Sequence, residues 1–237
     1  MKTIGIIGAM DCEVSLLRTY LQSEEITEAA GLTMYSGAIG SHRVILVKCG
    51  IGKVNAALCT QLLIDRFGVD DIINTGVAGG VALGLHVGDM VLATELVEHD
   101  MGLTPFGYKQ GHIAGNEGVE PTYFVADPHL RAVFREAADA VLAGTGHRYI
   151  EGVIASGDLF INKTHVKEKL RNNFNAAAAE MEGAAIAHVA AQNKVPFTVV
   201  RAVSDLAEEG ARESIDNFEA VVADISASIA IRMVERL

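Results

Sequence analysis

The sequence predicts an α/β protein with a central sheet that is mostly parallel, and three observations carry that prediction. Short, apolar, β-branched runs such as Thr3 to Gly8, Asp71 to Thr75 and Val199 to Val203 have no helical period, as expected of strands buried on both faces. Amphipathic stretches with helical spacing alternate with them. No repeat, linker or low-complexity segment interrupts the alternation, so residues 1–237 are expected to form a single domain.

The stretch from Val195 to Glu209 organises the rest. A buried-strand pattern through Val203 stops at Ser204-Asp205, and an acidic, glycine-containing segment follows. In open α/β folds ligands gather at the carboxyl ends of strands, so Asp205 is expected to meet one from a rigid platform. Arg201, inside the same run, needs acidic partners, because an unpaired guanidinium is rarely buried.

From the N-terminus, Thr3 to Gly8 reads as a first strand. Asp11 is the expected N-cap of a helix carrying Val14, Leu17 and Leu21, which puts Glu13 in its first turn. Leu32 to Tyr35 and Val44 to Lys48 read as strands. Gly50-Ile51-Gly52-Lys53 opens a helix with Val54, Leu58 and Leu62 on its apolar side. It matches neither a P-loop nor a dinucleotide fingerprint, so close helix–strand packing is the expected use of its glycines. Asp71 to Thr75 is a strand followed by Gly76-Val77-Ala78-Gly79-Gly80, expected to turn tightly or to admit a ligand to the backbone.

Met90 to about Leu96 is a further strand. The irregular stretch from about Met101 to Pro121 is long enough to suggest a functional loop or one packed on a partner. Leu130, Val133, Phe134, Ala137 and Val141 mark a helix, and Tyr149 to Ala155 a strand running into Ser156-Gly157-Asp158-Leu159-Phe160. Thr164 is expected to cap a short basic helix. Ala176 to Ala179 approach Glu180-Met181-Glu182, where an extended backbone would send both carboxylates to one side. Phe218, Val221, Val222, Ile225 and Ile229 define a long C-terminal helix.

Composition narrows the function. The formal net charge of −11, with no dense Lys/Arg run, argues against nucleic-acid or anionic-membrane partners. Cys12, Cys49 and Cys59 make neither a disulfide framework nor a thiolate zinc site, and fit thiols in a reducing cytoplasm. The opening MKTIGIIGAM has too short an apolar run for a signal peptide, and nothing reaches the length of a membrane span. The eight His include no H-E-x-x-H and no Cys/His zinc spacing, and Ser204 lacks a G-x-S-x-G context. His99-Asp100 and His86 through Asp89 read as loop or capping residues, Lys53 and Lys163 as surface ones. No metal or cofactor is expected.

Glu13, Glu182 and Asp205 remain, each at or just past a strand end. Parallel strands would bring these acids to one sheet edge, with Arg201 offsetting their repulsion. The strings GIIGAM with Glu13, CGIGKVNAA, INTGVAGG, HD…PFGY, SGDLFI, AEMEGAAIAHV and RAVSDLA occur in that order. Together they resemble the 5′-methylthioadenosine/S-adenosylhomocysteine nucleosidases of the nucleoside phosphorylase/hydrolase superfamily, from Lys2 to Leu237. The resemblance is weakest at about Ser23 to Arg43 and Gly111 to Arg148.

That resemblance implies a three-layer α/β sandwich with a twisted, mixed central sheet flanked by helices, and a homodimer. It implies hydrolytic release of adenine from 5′-substituted adenosines. Asp205 would assist at purine N7 and Glu13 would activate water with Arg201 nearby. Glu182 would hold the ribose hydroxyls and Met181 would pack on the sugar. Phe160 would stack on adenine, with Ile161 reading its edge through the backbone. Val77, Ala78 and Gly79 would line the base side, Met10 and Ile51 the 5′ side, Ser204 would join the substrate-binding residues, and Phe106 would come from the partner subunit. Three departures stand out: Val77 where Ser is common, Ala114 where Pro is common, and Cys12 where an acid is frequent. Loss of the Val77-position hydroxyl makes phosphorolysis a weaker expectation. A 6-amino-6-deoxyfutalosine hydrolase, a purine nucleoside phosphorylase and a non-catalytic nucleoside-binding protein are the alternatives.

Overall fold

The computed structural model describes the backbone of residues 1–237 and the side chains of 1–214 and 222–237. Phe218 and Val221, expected on the C-terminal helix, therefore lie outside the described side chains. The strands are β1 (Thr3–Gly8), β2 (Gln22–Ala29), β3 (Leu32–Ile39), β4 (His42–Lys48), β5 (Asp71–Gly80), β6 (Met90–Glu98), β7 (Tyr123–Val125), β8 (Tyr149–Ser156), β9 (Ala176–Glu180) and β10 (Phe197–Asp205). The helices are α1 (Asp11–Thr19), α2 (Lys53–Phe67), α3 (Pro128–Leu142), α4 (Thr164–Phe174), α5 (Gly183–Gln192) and α6 (Ala211–Arg236).

The strands form one sheet in the order β10-β6-β8-β9-β5-β1-β4-β3-β2, with β7 beside β6. β5 also pairs with β10, so β5, β10, β6, β8 and β9 close into a ring from which the remaining strands extend. Parallel pairs (β1 with β4 and β5, β10 with β5, β8 with β6 and β9) are matched by antiparallel ones. These include β10 with β6 and β5 with β9, besides the β2-β3-β4 meander. The sheet is therefore mixed, which corrects the expectation of a mostly parallel one.

Two apolar layers sandwich the sheet. Ile4, Ile6, Ile73 and Val200 pack with Leu17, Phe134 and Ile229 of α1, α3 and α6. Ile7, Ile45, Ile72 and Val199 pack instead with Leu63 of α2 and Ile186 of α5. Alternate residues of a strand face opposite layers, which is why adjacent Ile6 and Ile7 serve different ones.

Local expectations fail where chemistry is weak. β2, QSEEITEA, is a mostly exposed edge strand with none of the apolar signal that marks a strand in sequence. Met10, not Asp11, caps α1; Asp11 is the first helical residue, and its carboxylate meets Lys48 at 2.9 Å. Leu21 lies beyond the end of α1. Lys163 precedes α4, and the Thr164 hydroxyl donates to Glu209 instead of capping. On α2 the buried face is Ala56, Cys59, Thr60 and Leu63, while Val54 and Leu58 are exposed. Gly76 to Gly80 does not turn; it continues β5.

Candidate active site

The β10–β5 register builds the centre of the site. Arg201 lies opposite Gly76 and Asp205 opposite Gly79. A Cβ at Gly76 would overlap the Glu13 carboxylate and the Arg201 guanidinium, so both groups meet against the backbone only because this position is bare. Glycine therefore serves close approach by two charged side chains, a use not anticipated from the sequence.

Glu13 enters from the first turn of α1, directly after β1. Its Oε2 accepts from the Ala9 amide at 2.6 Å and the Met10 amide at 3.0 Å. Its Oε1 accepts from the Val77 amide at 2.9 Å, and Arg201 Nη1 is 3.9 Å away. Burial pushes the Glu13 carboxyl up, and Arg201 and these three amides oppose the shift.

Arg201 is fully buried. Its Nη2 pairs with Glu180, lies 3.5 Å from Glu182 and donates to the Asn74 side chain at 2.7 Å. Burial alone would lower its pKa; Glu180, Glu182 and Glu13 outweigh that and raise it. The sequence demanded an acidic partner for Arg201, and the chain supplies three. Glu180 was the one missed as a site residue. Its carboxylate also accepts from Ser156 Oγ and from the amides of Glu182 and Gly183. A buried Asn in β5 and an acid closing an all-Ala strand were the signals.

Glu182 caps α5 and accepts from the Gly52 amide at 2.9 Å. Gly52 has φ of +101°, so the glycine turn before α2 delivers a backbone donor to the site, which corrects its assignment to helix packing alone. Burial, with neighbouring Glu180 adding repulsion, raises Glu182 to about 7. The buried Cys49 thiol is pushed up to about 12 by burial, with Glu182 next, and is inert as a nucleophile at neutral pH.

Asp205 stands apart from this cluster. Its Oδ1 accepts from the Ala207 amide at 2.7 Å and its Oδ2 from Ser204 Oγ at 2.9 Å. Burial raises its pKa, opposed by those two donors and a more distant Lys167. No guanidinium contacts it among the described residues.

One cavity of about 400 Å³ joins these groups. Glu13, Glu182, Asp205, Met181, Phe160, Val77, Ala78, Gly79, Met10, Ile51 and Ser204, all named from the sequence, line it. Ala9, Ala179, Glu180 and Arg212 line it as well. Arg201 lies behind the lining. Ile161 is buried in an adjoining smaller recess shared with Phe160, Met181, Gly79 and Asp205. Phe106 is 78 % exposed in the turn Thr104–Phe106 and does not line the cavity of its own chain. Lys53 is not an ordinary surface residue: its ammonium binds Glu98 at 2.9 Å and Asp100 at 2.7 Å, and its amide donates to Asp158 at 2.8 Å. Asp100 in turn accepts from the Asp158 amide, tying the His99-Asp100 loop to the segment that carries Phe160.

Among the described residues no helix is long and apolar enough to cross a membrane, and no cluster of His, Cys, Asp and Glu could hold a metal ion. The arrangement offers a carboxylate saturated with donors, a second acid paired through Arg201, and a third, isolated acid across an apolar cavity.

Comparison with known proteins gives this arrangement a lineage. The family model of the phosphorylase superfamily matches residues 3–236. The 5′-methylthioadenosine/S-adenosylhomocysteine nucleosidase of Aeromonas salmonicida (strain A449) is 42 % identical over 235 residues, 99 % of each chain. The nucleosidase of the same name from Neisseria meningitidis, solved with methylthio-immucillin-A, superposes with a TM-score of 0.94 at 37 % identity over 100 % of both chains. A futalosine hydrolase mutant of Helicobacter pylori strain 26695 superposes with a TM-score of 0.92 at 34 % identity, again over 100 % of both. With its mixed sheet and its carboxylate-lined cavity, this chain belongs to the phosphorylase superfamily and, within it, to the 5′-methylthioadenosine/S-adenosylhomocysteine nucleosidases, which are purine N-glycosidases.

Proposed function

We propose that the protein, acting as a single domain over its whole length, hydrolyses the N-glycosidic bond of 5′-methylthioadenosine and S-adenosylhomocysteine, and of 5′-deoxyadenosine. The observation that carries this reading is the separation of two kinds of acid across one cavity. Burial raises both acids; Asp205 has no cationic partner in contact to oppose it and is suited to carry a proton. Glu13 accepts three amide hydrogen bonds beside Arg201, and a carboxylate that accepts three donors is suited to stay ionised.

In this reading water attacks C1′ of the ribose while Glu13 takes its proton. The C1′–N9 bond breaks with its electron pair going to adenine, and Asp205 delivers a proton to N7. The products are adenine and the 5′-substituted ribose. Positive charge developing on the sugar is stabilised by Glu13 and Glu182, with Glu182 also accepting from the ribose hydroxyls. Arg201, held behind the lining, keeps three buried carboxylates compatible with one another. Met181 packs on the sugar and Phe160 on the base. The Ile161 backbone and the Val77-Ala78-Gly79 and Ser204 segments face the base, and Met10 and Ile51 the 5′ group. Phe106 closes the neighbouring site of a homodimer. The exposed apolar row Ile51, Val54 and Leu58 supports that assembly, because a monomer would leave it in water. Three thiols are in keeping with a cytoplasmic setting.

Adenine release from 5′-methylthioadenosine, measured in phosphate-free buffer and again with phosphate added, tests the reading. Release without phosphate, giving free methylthioribose, is the expected result. Release only with phosphate would replace it by phosphorolysis, although the wall at the Gly8 turn presents Met10 and Glu13 where an anion would need a cation. The likeness to a futalosine hydrolase favours one second reading, hydrolysis of 6-amino-6-deoxyfutalosine, which uses the same acids.

A further inference from the structure

Of the two guanidinium groups at the cavity, one is spoken for. Arg201 is enclosed by Glu180, Glu182 and Glu13. Arg212, in the first turn of α6, also lines the cavity but is exposed, so it sits at the mouth. Among the described residues it makes no ion pair and no side-chain hydrogen bond.

Its acidic sequence neighbours among the described side chains are otherwise engaged or turned away. Glu208 pairs with Lys167 at 3.3 Å, and Glu209 accepts from the Thr164 hydroxyl. Glu213 follows Arg212 directly, and adjacent helical residues do not face one another. Lys167, the cation whose field reaches Asp205, is held by Glu208.

The position along the cavity decides what Arg212 would meet. The recess beside Phe160 and Ile161 includes Met181, Gly79 and Asp205 but not Arg212. Arg212 lines only the larger cavity, which holds Met10 and Ile51 as well as Phe160 and Asp205, and its exposure puts it at the mouth. A 5′ substituent long enough to leave the cavity would pass it, whereas a base seated in the recess beside Phe160 and Asp205 would not.

A methylthio group asks nothing of a cation there. A homocysteinyl extension ends in an ammonium, which the acidic wall of Glu13, Glu180, Glu182 and Asp205 can favour, and in a carboxylate, which that wall and a net charge of −11 oppose. A planar guanidinium with uncommitted N–H donors matches a carboxylate in charge and in geometry. We propose that Arg212 binds the carboxylate of an amino-acid 5′ substituent and so sets the preference of the site between S-adenosylhomocysteine and 5′-methylthioadenosine. The proposal rests on the nucleosidase reading and adds to it a residue for substrate choice.

The test is kcat and KM for three substrates with the wild type and with Arg212→Gln, Arg212→Lys and Arg212→Glu. The substrates are 5′-methylthioadenosine, S-adenosylhomocysteine, and the decarboxylated analogue of the latter, which keeps the amine and lacks the carboxylate. Arg212→Gln should lower the ratio of kcat/KM for S-adenosylhomocysteine to that for methylthioadenosine about fivefold to tenfold, as expected for an exposed charge-assisted contact. The loss should sit in KM. Arg212→Lys should recover most of it, and Arg212→Glu should exceed it. The decarboxylated analogue, a cation, should lose nothing relative to methylthioadenosine in Arg212→Gln and should gain in Arg212→Glu. Added salt should erode the wild-type preference and leave that of Arg212→Gln flat. An unchanged ratio in Arg212→Gln, or an equal loss for the decarboxylated analogue, overturns the assignment while adenine release by the wild type still stands. No adenine release from any substrate by the wild type overturns the nucleosidase reading, and this inference with it.

Discussion

The inner wall of the cavity and its outer rim are built on opposite terms. The inner wall is made of strand ends: Glu13 after β1, Glu182 after β9, Arg201 and Asp205 within β10, all buried and each bonded to backbone or to another side chain. The rim is made of loop and helix surface: Ile51 is 53 % exposed and Phe160 45 %. The inner wall is closely bonded, so substitutions there are expected to be costly. The rim is exposed, and substrate fit and the proposed assembly are expected to depend on it.

The largest effect should come from the inner wall. Asp205→Asn removes the proposed proton donor while the Ala207 amide and Ser204 hydroxyl still hold the side chain, so kcat/KM on 5′-methylthioadenosine should fall about 10² to 10⁴-fold with the fold intact. Glu13→Gln should lose a similar factor. Steady-state adenine release with a circular-dichroism control decides both, and near-normal turnover in either would remove that residue from its role. The pH profile sharpens the split. A group needed protonated, with a raised pKa, loses its function as pH climbs through that value; a group needed ionised loses it as pH falls. The profile should therefore be a bell, and Asp205→Asn should flatten its alkaline limb.

Next in size is Gly76→Ala. An added Cβ collides with Glu13 and Arg201, buried groups that cannot relax into solvent. A loss of about 3 kcal/mol or more is expected, with activity lost alongside stability. Ala78→Gly, two residues along the same strand, should cost about 1 kcal/mol and serves as the comparison. Equal melting temperatures for the two variants would mean that the close approach at Gly76 is not what the strand is built for.

Glu182 predicts a subtler signature. Its folded pKa is about 7, above the ordinary 4.5, so the protonated form is favoured by folding. That contribution is fully present below about pH 4.5 and disappears as pH rises to about 7. Its upper bound is about 3 kcal/mol. Glu182→Gln cannot lose it, so its melting temperature should gain on the wild type through that window. Parallel curves for the two proteins between pH 4.5 and 7.5 would show that Glu182 is not desolvated as the geometry implies.

The same contrast explains what the sequence revealed. Glu13, Arg201 and Asp205 were legible because each breaks an apolar run or follows one directly, and a charge in such a place needs a reason. The mixed sheet was not legible from alternation alone, since β9 reads the same whether β5 runs beside it parallel or antiparallel. β2 escaped notice because an exposed edge strand has no buried face to write into its sequence. The error on α2 is the instructive one. Val54 and Leu58 carry the apolar spacing, yet small Ala56 and polar Thr60 face the core, because close packing on the sheet wants small residues there. Arg212 carried no sequence signal, since an Arg in an acidic, polar stretch is unremarkable until a cavity is seen beside it.

The misplaced face of α2 leads to the smallest effect on the folded chain itself. Val54 is 79 % exposed, so Val54→Asp should alter the intrinsic stability of one chain by less than about 0.5 kcal/mol. If the row Ile51, Val54 and Leu58 meets a second copy, the same substitution buries a carboxylate in an apolar contact and should split the proposed homodimer. Sedimentation should then show a monomer, and kcat/KM for 5′-methylthioadenosine should fall through KM because Phe106 no longer reaches the neighbouring site. Asp205 and Glu13 would be untouched, so the pH profile should keep its shape at a lower height. A Val54→Asp protein that sediments and turns over like the wild type would mean that the rim is closed by this chain alone.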